Sequence, residues 1–196
     1  MGIYIPHQYT SYSLQANGVE IAANGLVGTS RETSEPAFRK DLTYFTPSES
    51  DIQFTMYVAN FEHLVGGANR SILFGTAKAI SANYTNLVAL TLFVTGGILV
   101  MGINQLGIFF FRRKEKAFLY FGLLSILIAL RALFIEPMFI AEMFPNIFWL
   151  WQHRIEFFII YGSFSLYLMF LYDLYPSEMK KWVVQVSFVL TLILSG

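Results

Sequence analysis

The 196-residue chain contains no cysteine, which excludes disulfide bonds and thiol chemistry. Its three histidines, His7, His63 and His153, lie far apart in the sequence, so we expect no metal site. Basic and acidic residues number 13 each, and this balance gives no indication of nucleic-acid binding. Gly-rich phosphate loops, paired catalytic carboxylates and Ser/His/Asp sets are also missing. The sequence therefore predicts no cofactor, no metal and no catalytic module in these residues.

Charge is scarce as well, since charged residues make up 13% of the chain against about 25% in a typical soluble domain. Residues 79–111 contain no charged side chain at all. A helix that crosses a bilayer needs about 20 mostly apolar residues. The run is long enough for one crossing. It indicates a membrane protein, and the lipid bilayer is therefore one of its predicted partners.

Residues 1–80 have the pattern of short strands. Apolar and polar residues alternate in 9–16 and again in 52–58, as they do in half-buried strands. Asn17-Gly18 is a strong hairpin signal. The range 9–16 leaves little preceding chain for an opposing sheet. We therefore expect a partial β-sandwich.

Residues 81–196 read as an antiparallel bundle of about four transmembrane helices, which makes the fold class an α + β membrane protein. The helices are predicted at about 84–111, 117–135, 147–175 and 182–196. The fourth stretch is too short to cross, and residues 1–13 carry no signal peptide. We therefore expect a truncated chain, with the first domain at 1–80 and the transmembrane region at 81–196.

Basic residues predict the orientation, because they are retained on the cytoplasmic side. Four follow the first apolar segment, namely Arg112, Arg113, Lys114 and Lys116. Lys180 and Lys181 follow the third, and none lies between the second and third. This places residues 1–80 outside the plasma membrane. Contact with an effector or with anionic lipid is the alternative role of the 112–116 cluster.

Several stretches of residues 1–80 resemble a galactose-binding-like jelly roll. They are YSLQANG at 12–18, NGLVGTS at 24–30, VANFEHLVGG at 58–67 and ILFGT at 72–76. The resemblance implies an external sensing domain for a small, carbohydrate-like ligand.

The rest of the chain resembles bacterial seven-transmembrane receptors with diverse intracellular signalling modules (7TM-DISM). The likeness rests on LGIFFFRRKEKAFLYFGLL at 106–124, IALRAL at 128–133, RIEF at 154–157 and FLYDLYPSE at 170–178. Members of that family end in histidine kinases, diguanylate cyclases or other output modules. By this comparison the chain lacks the opening strands, the last three helices and the output module, through which a homodimer would form.

Three of the polar residues inside the predicted membrane helices, Arg131, His153 and Glu156, are candidates for a functional or structural contact. Arg131 and Glu156 lie at comparable depth near the outer side, and an ion pair between adjacent helices would offset the cost of placing them in lipid. His153 shares a helix face with Glu156 at i, i+3. A structural pair that fixes helix register is the favoured interpretation, ahead of signal relay or a ligand or proton site. Gly96, Gly97 and Gly102 are candidates for close helix approach.

The predicted ligand-binding residues of the β region are Asn60, His63, Gly66 and Gly67. Polar side chains on such a loop can hydrogen-bond sugar hydroxyls. The structural alternative, which is favoured, is that the glycine pair permits a turn with φ > 0 and that Asn60 and His63 satisfy backbone groups.

The favoured function is the input portion of a membrane signalling receptor, in which external sensing is coupled to helix rearrangement. A transporter or channel subunit is the alternative, although no inverted repeat or broken helix is evident. An intramembrane enzyme built on His153 and Glu156 is the least favoured.

Overall fold

The computed structural model describes residues 1–8, 10–37, 39–47, 50–62, 64, 66–68, 70–135 and 149–194, with side chains except those of 149–153 and 194. In this described part of the chain six strands precede four helices, which confirms the α + β class. The strands are β1 (Gly2–Ile5), β2 (Ser11–Ala16), β3 (Val19–Asn24), β4 (Asp41–Tyr44), β5 (Phe54–Ala59) and β6 (Leu73–Gly75).

The strands form two antiparallel sheets of three, in the orders β4-β1-β6 and β3-β2-β5. Ile3 and Ile5 of β1 share one buried cluster with Tyr12, Leu14 and Ala22 of the second sheet. Burial of such apolar surface is the main force that holds a sandwich together. The sequence predicted no strand before residue 9, whereas β1 is the central and fully buried strand of its sheet. All four residues of β1 are buried, so the strand has no polar face and shows no alternation of polar and apolar residues.

The predicted hairpin at Asn17-Gly18 is confirmed. Asn17 has φ 49° and Gly18 has φ 79°, the two positive values that a type I′ turn requires. The turn joins β2 to β3, which pair from Tyr12–Asn24 to Ala16–Val19 with a bulge between Leu14 and Gln15. β5, the second strand predicted by alternation, lies on the other side of β2.

The helices are α1 (Ala77–Phe111), α2 (Lys116–Phe134), α3 (Trp149–Leu174) and α4 (Lys181–Leu194). The first three contain spans that are long and apolar enough to cross a membrane, and α4 is a shorter apolar helix. α1 begins seven residues before its predicted start at 84. Thr76 caps it, since its Oγ1 accepts a hydrogen bond from the Ala79 amide at 3.2 Å. The early turns contain Lys78, Ser81 and Asn83, so the search for a continuous apolar run did not include them in the predicted helix.

The described residues divide into two compact units, one within 1–89 and the other within 90–135 and 149–194. The boundary near residue 89 falls within α1. The predicted boundary between residues 80 and 81 stays a prediction.

Within the second unit, α1 and α2 approach closely at Gly102 and Gly122. A Cβ built on Gly102 would lie 3.0 Å from the Gly122 carbonyl oxygen. Such small residues let helix backbones come together in a membrane. Gly96 and Gly97 face open space, so of the three candidate glycines only Gly102 makes a close approach.

Further along the bundle, α2 packs on α3 and α3 packs on α4. The rings of Phe121 and Phe170 lie 5.3 Å apart. Ser165 and Thr191 share a buried hydrogen bond of 2.8 Å, and Thr191 also donates to the Tyr161 carbonyl. Polar contacts of this kind join helices where lipid offers no alternative partner.

Candidate ligand groove and the grip on the first helix

A groove of about 450 Å³ lies on the outer face of the β3-β2-β5 sheet. Alternate residues of a strand face opposite sides of a sheet, so Tyr12 and Leu14 of β2 enter the core while Ser13 and Gln15 face outwards. The side chains that line the groove include Ser13, Glu20, Ala23, Leu26, Val27 and Tyr57. The volume lies within the range of about 300–1,000 Å³ typical of small-molecule sites.

Strand register brings the groove's polar groups together. Ser13 of β2 pairs with Ala23 on one side and with Tyr57 on the other. The Ser13 hydroxyl donates to Oε2 of Glu20 at 2.6 Å. Tyr57 is 52% exposed, so its ring forms an accessible aromatic surface beside this pair. Directly opposed side chains in a sheet are about 4.5–5.5 Å apart at Cβ. A small ligand can therefore contact the carboxylate and the ring together.

One wall of the groove is the segment that follows β3. Leu26 and Glu35 exchange two backbone hydrogen bonds, of 2.9 and 3.0 Å, which fold the segment back on itself. Gly25 starts it with φ 68°, and a Cβ at this position would collide with the Glu35 carbonyl oxygen. Glycine is therefore required here for both its conformation and its size.

A bidentate ion pair joins the same wall to Glu62, three residues beyond the end of β5. Nε and Nη2 of Arg31 each donate to a different oxygen of Glu62 at 2.7 Å. This fork geometry is the strongest form of an Arg–carboxylate contact. The hydrogen bonds from Arg31 lower the pKa of Glu62, and those to Glu62 raise the pKa of Arg31. The wall is therefore bonded to the segment that directly follows β5, the strand that carries Tyr57.

The residues predicted to bind ligand lie outside this groove. Asn60 accepts a hydrogen bond from the Glu62 amide at 3.3 Å, and Gly66 lies against the Asn60 side chain. Gly67 has φ 89°, which fits its alternative role in a turn. His63 lies outside the described residues. Binding by these four residues stays a prediction.

The groove was not predicted from the sequence, although one of its residues, Tyr57, has an unusual position in the strand pattern. In β5, Tyr57 lies on the face that also carries the polar residue Thr55, and a large exposed aromatic ring is unusual there. Its proximity to Ser13 depends on the pairing of β2 with β5, across more than 40 residues, and no local pattern reports that pairing.

The predicted intramembrane pair, Arg131 and Glu156, lies on α2 and α3. Arg131 is half-buried in α2, and among the described residues its Nε has no hydrogen-bond partner. Glu156 is half-buried in α3. The ion pairs within 4.0 Å among described side chains do not include an Arg131–Glu156 contact. The side chain of His153 lies outside the described residues. The pairing stays a prediction.

The basic cluster at the end of α1 is exposed throughout. Arg112 forms an ion pair of 3.4 Å with Glu115, and the Arg113 guanidinium lies 5.0 Å from the Phe110 ring centre. Lys114 and Lys116 complete the cluster. Exposed cations beside an apolar helix suit the predicted role in topology.

The first turns of α1 pack against the β4-β1-β6 sheet and contact Lys40, which immediately precedes β4. A Cβ on Gly2 would lie 3.2 Å from both Ala77 Cα and Ile80 Cβ, so β1 runs directly against the helix. The rings of Tyr4 and Tyr84 are 5.8 Å apart. The Lys40 ammonium donates to the Tyr84 hydroxyl and lies 4.1 Å from the ring centre. We call Gly2, Tyr4, Lys40, Ile80 and Tyr84 the helix grip.

No group of three or more His, Cys, Asp or Glu side chains that could hold a metal ion occurs in the described part of the chain.

Comparison with known protein families gives a match. The model of the family described as 7TM diverse intracellular signalling matches residues 88–196, which is more than half of the chain. Neither the curated proteins nor the solved structures gave a match. The matched region does not include residues 1–80, so their likeness to a galactose-binding domain stays a prediction. With its apolar helices and this match, the chain belongs to the 7TM diverse intracellular signalling family, and it is a multi-pass membrane receptor of signal transduction.

Proposed function

We propose that this chain is the input portion of a receptor in the plasma membrane. Its β unit lies outside the cell and binds a small molecule in the groove, and α1 carries the change into the membrane helices. The intracellular output is supplied by a separate signalling module, which also provides the contacts of a homodimer. The sensory character of the family supports this assignment.

The observation that carries the proposal is the continuity of α1. This helix has 35 residues, a length of about 52 Å, whereas the hydrocarbon core is about 30 Å thick. Residues 77–89 belong to the first unit and residues 90–111 to the second. A displacement of the β unit therefore reaches the membrane segment through hydrogen-bonded helix rather than through a flexible linker.

The helix grip is the element by which ligand binding would act on α1. Tyr84 is held by both a ring and an ammonium group, and Ile80 is 6% exposed against β1. Lys40 immediately precedes β4, which pairs with β1. A ligand shifts such an equilibrium only by its differential affinity for two arrangements of the grip.

The orientation rests on the distribution of basic side chains. It is tested by labelling single-cysteine variants of the otherwise cysteine-free chain in intact cells. A membrane-impermeant maleimide should label S50C, in the β unit, and should not label K114C. The reverse pattern would overturn the orientation.

Coupling is tested with spin labels at E115C and E178C, in the two connections predicted to face the cytoplasm. The full chain in nanodiscs is titrated with a panel of neutral sugars, amines and carboxylates. We expect at least one compound to change the distance distribution between the labels. Y84A should reduce that change by at least half and leave binding within about twofold, whereas Y167A, an exposed tyrosine of α3, should alter neither.

Helix continuity is tested separately by insertions between Val88 and Ala89. A Gly-Gly insertion breaks the helix and should abolish the response at the labels. Seven alanines keep the helical phase to within about 20° and should preserve it. A full response in the Gly-Gly variant, or binding without any change at the labels, would refute coupling through α1.

A further inference from the structure

We propose that the groove binds an organic cation, with its ammonium group between the Glu20 carboxylate and the Tyr57 ring. The proposal depends on the sensing role given above and names the chemical class of the ligand. Small amines and quaternary ammonium compounds with a hydroxylated or apolar body belong to this class.

The charge of the groove favours a cation. Glu20 is the charged side chain among the described lining residues, and none of those residues is basic. Ser13 donates to one oxygen of Glu20, and an ionised carboxylate offers about four acceptor positions. The carboxylate attracts any ammonium group by its charge, and amines that carry N–H groups can hydrogen-bond it as well. Phosphates, uronic acids and other anions would meet unopposed repulsion.

The aromatic ring provides the second contact. Tyr57 is 52% exposed and stands across from Ser13, the residue that holds Glu20. A cation within about 6 Å of an aromatic centroid is attracted by the negative face of the ring. Carboxylate and ring together recognise an alkylated ammonium group, which has few hydrogen-bond donors, better than either does alone.

The size and the wall of the groove exclude a bare metal ion. Calcium takes six to eight oxygen ligands and magnesium needs near-octahedral geometry. The lining residues supply one carboxylate and three hydroxyl groups, of which that of Tyr12 already donates to Asp41, and Leu26 and Val27 add apolar surface. Leu26 is 54% exposed, so it offers apolar surface to the body of a ligand. The groove of about 450 Å³ has room for such a body.

The experiment uses the full chain in nanodiscs and isothermal titration calorimetry. The probes are choline and 3,3-dimethylbutan-1-ol, which have the same shape and differ in charge, with galactose as the neutral sugar. We expect choline to bind at least tenfold more tightly than its neutral analogue. The choline affinity should fall as salt is raised from low to physiological concentration.

Variants localise the binding to the groove. E20Q should lower the choline affinity at least tenfold, whereas E178Q, which changes the net charge equally but lies in the connection after α3, should leave it within twofold. Y57F should retain binding and Y57A should lose it, because phenylalanine keeps the aromatic face. Circular dichroism confirms that each variant is folded.

The outcomes separate this inference from the sensing role. Equal affinities for choline and its analogue, or choline affinity unchanged in E20Q, would overturn the cation. Galactose binding lost in Y57A but retained in E20Q would also overturn it, and would leave the sensing role in place. Absence of binding by every probe and every panel compound would refute both.

Discussion

Arg31 and Glu62 meet side-on, with two hydrogen bonds of 2.7 Å, and so connect the wall of the groove to the segment just after β5. These hydrogen bonds hold the pKa of Glu62 below its ordinary value of 4.5. The Arg31 side chain is 66% exposed and that of Glu62 27%, so solvent screens the pair. Its importance lies in the position of the wall rather than in a large contribution to stability.

The first prediction concerns acid. A carboxyl group whose pKa is lowered by folding stabilises the folded state above its unfolded pKa, and this stabilisation is lost as pH falls through the folded pKa. The thermal midpoint of the β unit should therefore decrease below about pH 4.5, and E62Q should reduce this dependence. Thermal melts between pH 3 and 7 measure it. E178Q, in the connection after α3, serves as control, and an unchanged acid slope in E62Q would contradict the prediction.

The second prediction concerns alkali. Tyr12 is fully buried and its hydroxyl donates to Asp41; burial first, and then this hydrogen bond, raise the pKa of Tyr12 far above its ordinary value of 10.0. A raised pKa stabilises the folded state fully below pH 10, and this stabilisation decreases as pH rises above that value. Y12F should cost about 0.5–1.5 kcal/mol at neutral pH and flatten the alkaline slope. Denaturation followed by circular dichroism at pH 8–11 tests this.

The control for Tyr12 is Y44F, because Tyr44 is 49% exposed on β4. This variant should have the alkaline slope of the native chain. If Y12F and Y44F behave alike, Tyr12 is not the source of the dependence.

The third prediction compares two glycines with positive φ. Gly18 has nothing within 4 Å of a built Cβ, so G18A should cost only the left-handed conformation, about 1–2 kcal/mol. At Gly25 the Cβ would also meet Glu35 and lie 3.0 Å from Ser11 Cβ, which adds about 1–3 kcal/mol of overpacking. Chemical denaturation of both variants gives the difference in unfolding free energy. Equal losses would mean that the wall yields to the extra methyl group.

The fourth prediction concerns α1 and α2. A Cβ on Gly122 would lie 2.8 Å from Leu106 Cδ2 and 3.0 Å from the Gly102 carbonyl oxygen. G122A should therefore destabilise the helix pair by about 1–3 kcal/mol. Nothing lies within 4 Å of Gly97, so G97A should be neutral or stabilise by up to about 1 kcal/mol. Thermal unfolding in detergent distinguishes the two, and a G122A variant as stable as G97A would exclude the close approach.

The sequence predicts well those features that depend on near neighbours. Asn17-Gly18 defines a turn by its own two dihedral angles. The described ends of α2, α3 and α4 lie within two residues of the predicted ones, and the C-terminal end of α1 is the predicted one. Long apolar runs and the basic cluster at 112–116 are local signals of the same kind.

Features that depend on distant pairing were not predicted. β1 is recognisable only once β4 and β6 flank it, and these strands lie about 40 and 70 residues further along the chain. The first turns of α1 are helical because Ile80 and Tyr84 pack on β1, although their neighbours Lys78 and Ser81 are polar. The groove likewise depends on the register of Ser13 with Tyr57.

The central position of β1 also has a consequence for the order of folding. Gln8, just after β1, is fully buried, and its amide donates to the Arg70 carbonyl at 3.0 Å and accepts from the Arg70 amide at 3.1 Å. β1 must therefore wait for β6, which is synthesised about 70 residues later, before its sheet is complete. Because β6 ends two residues before α1 begins, the sandwich closes only when the first membrane helix is itself being made.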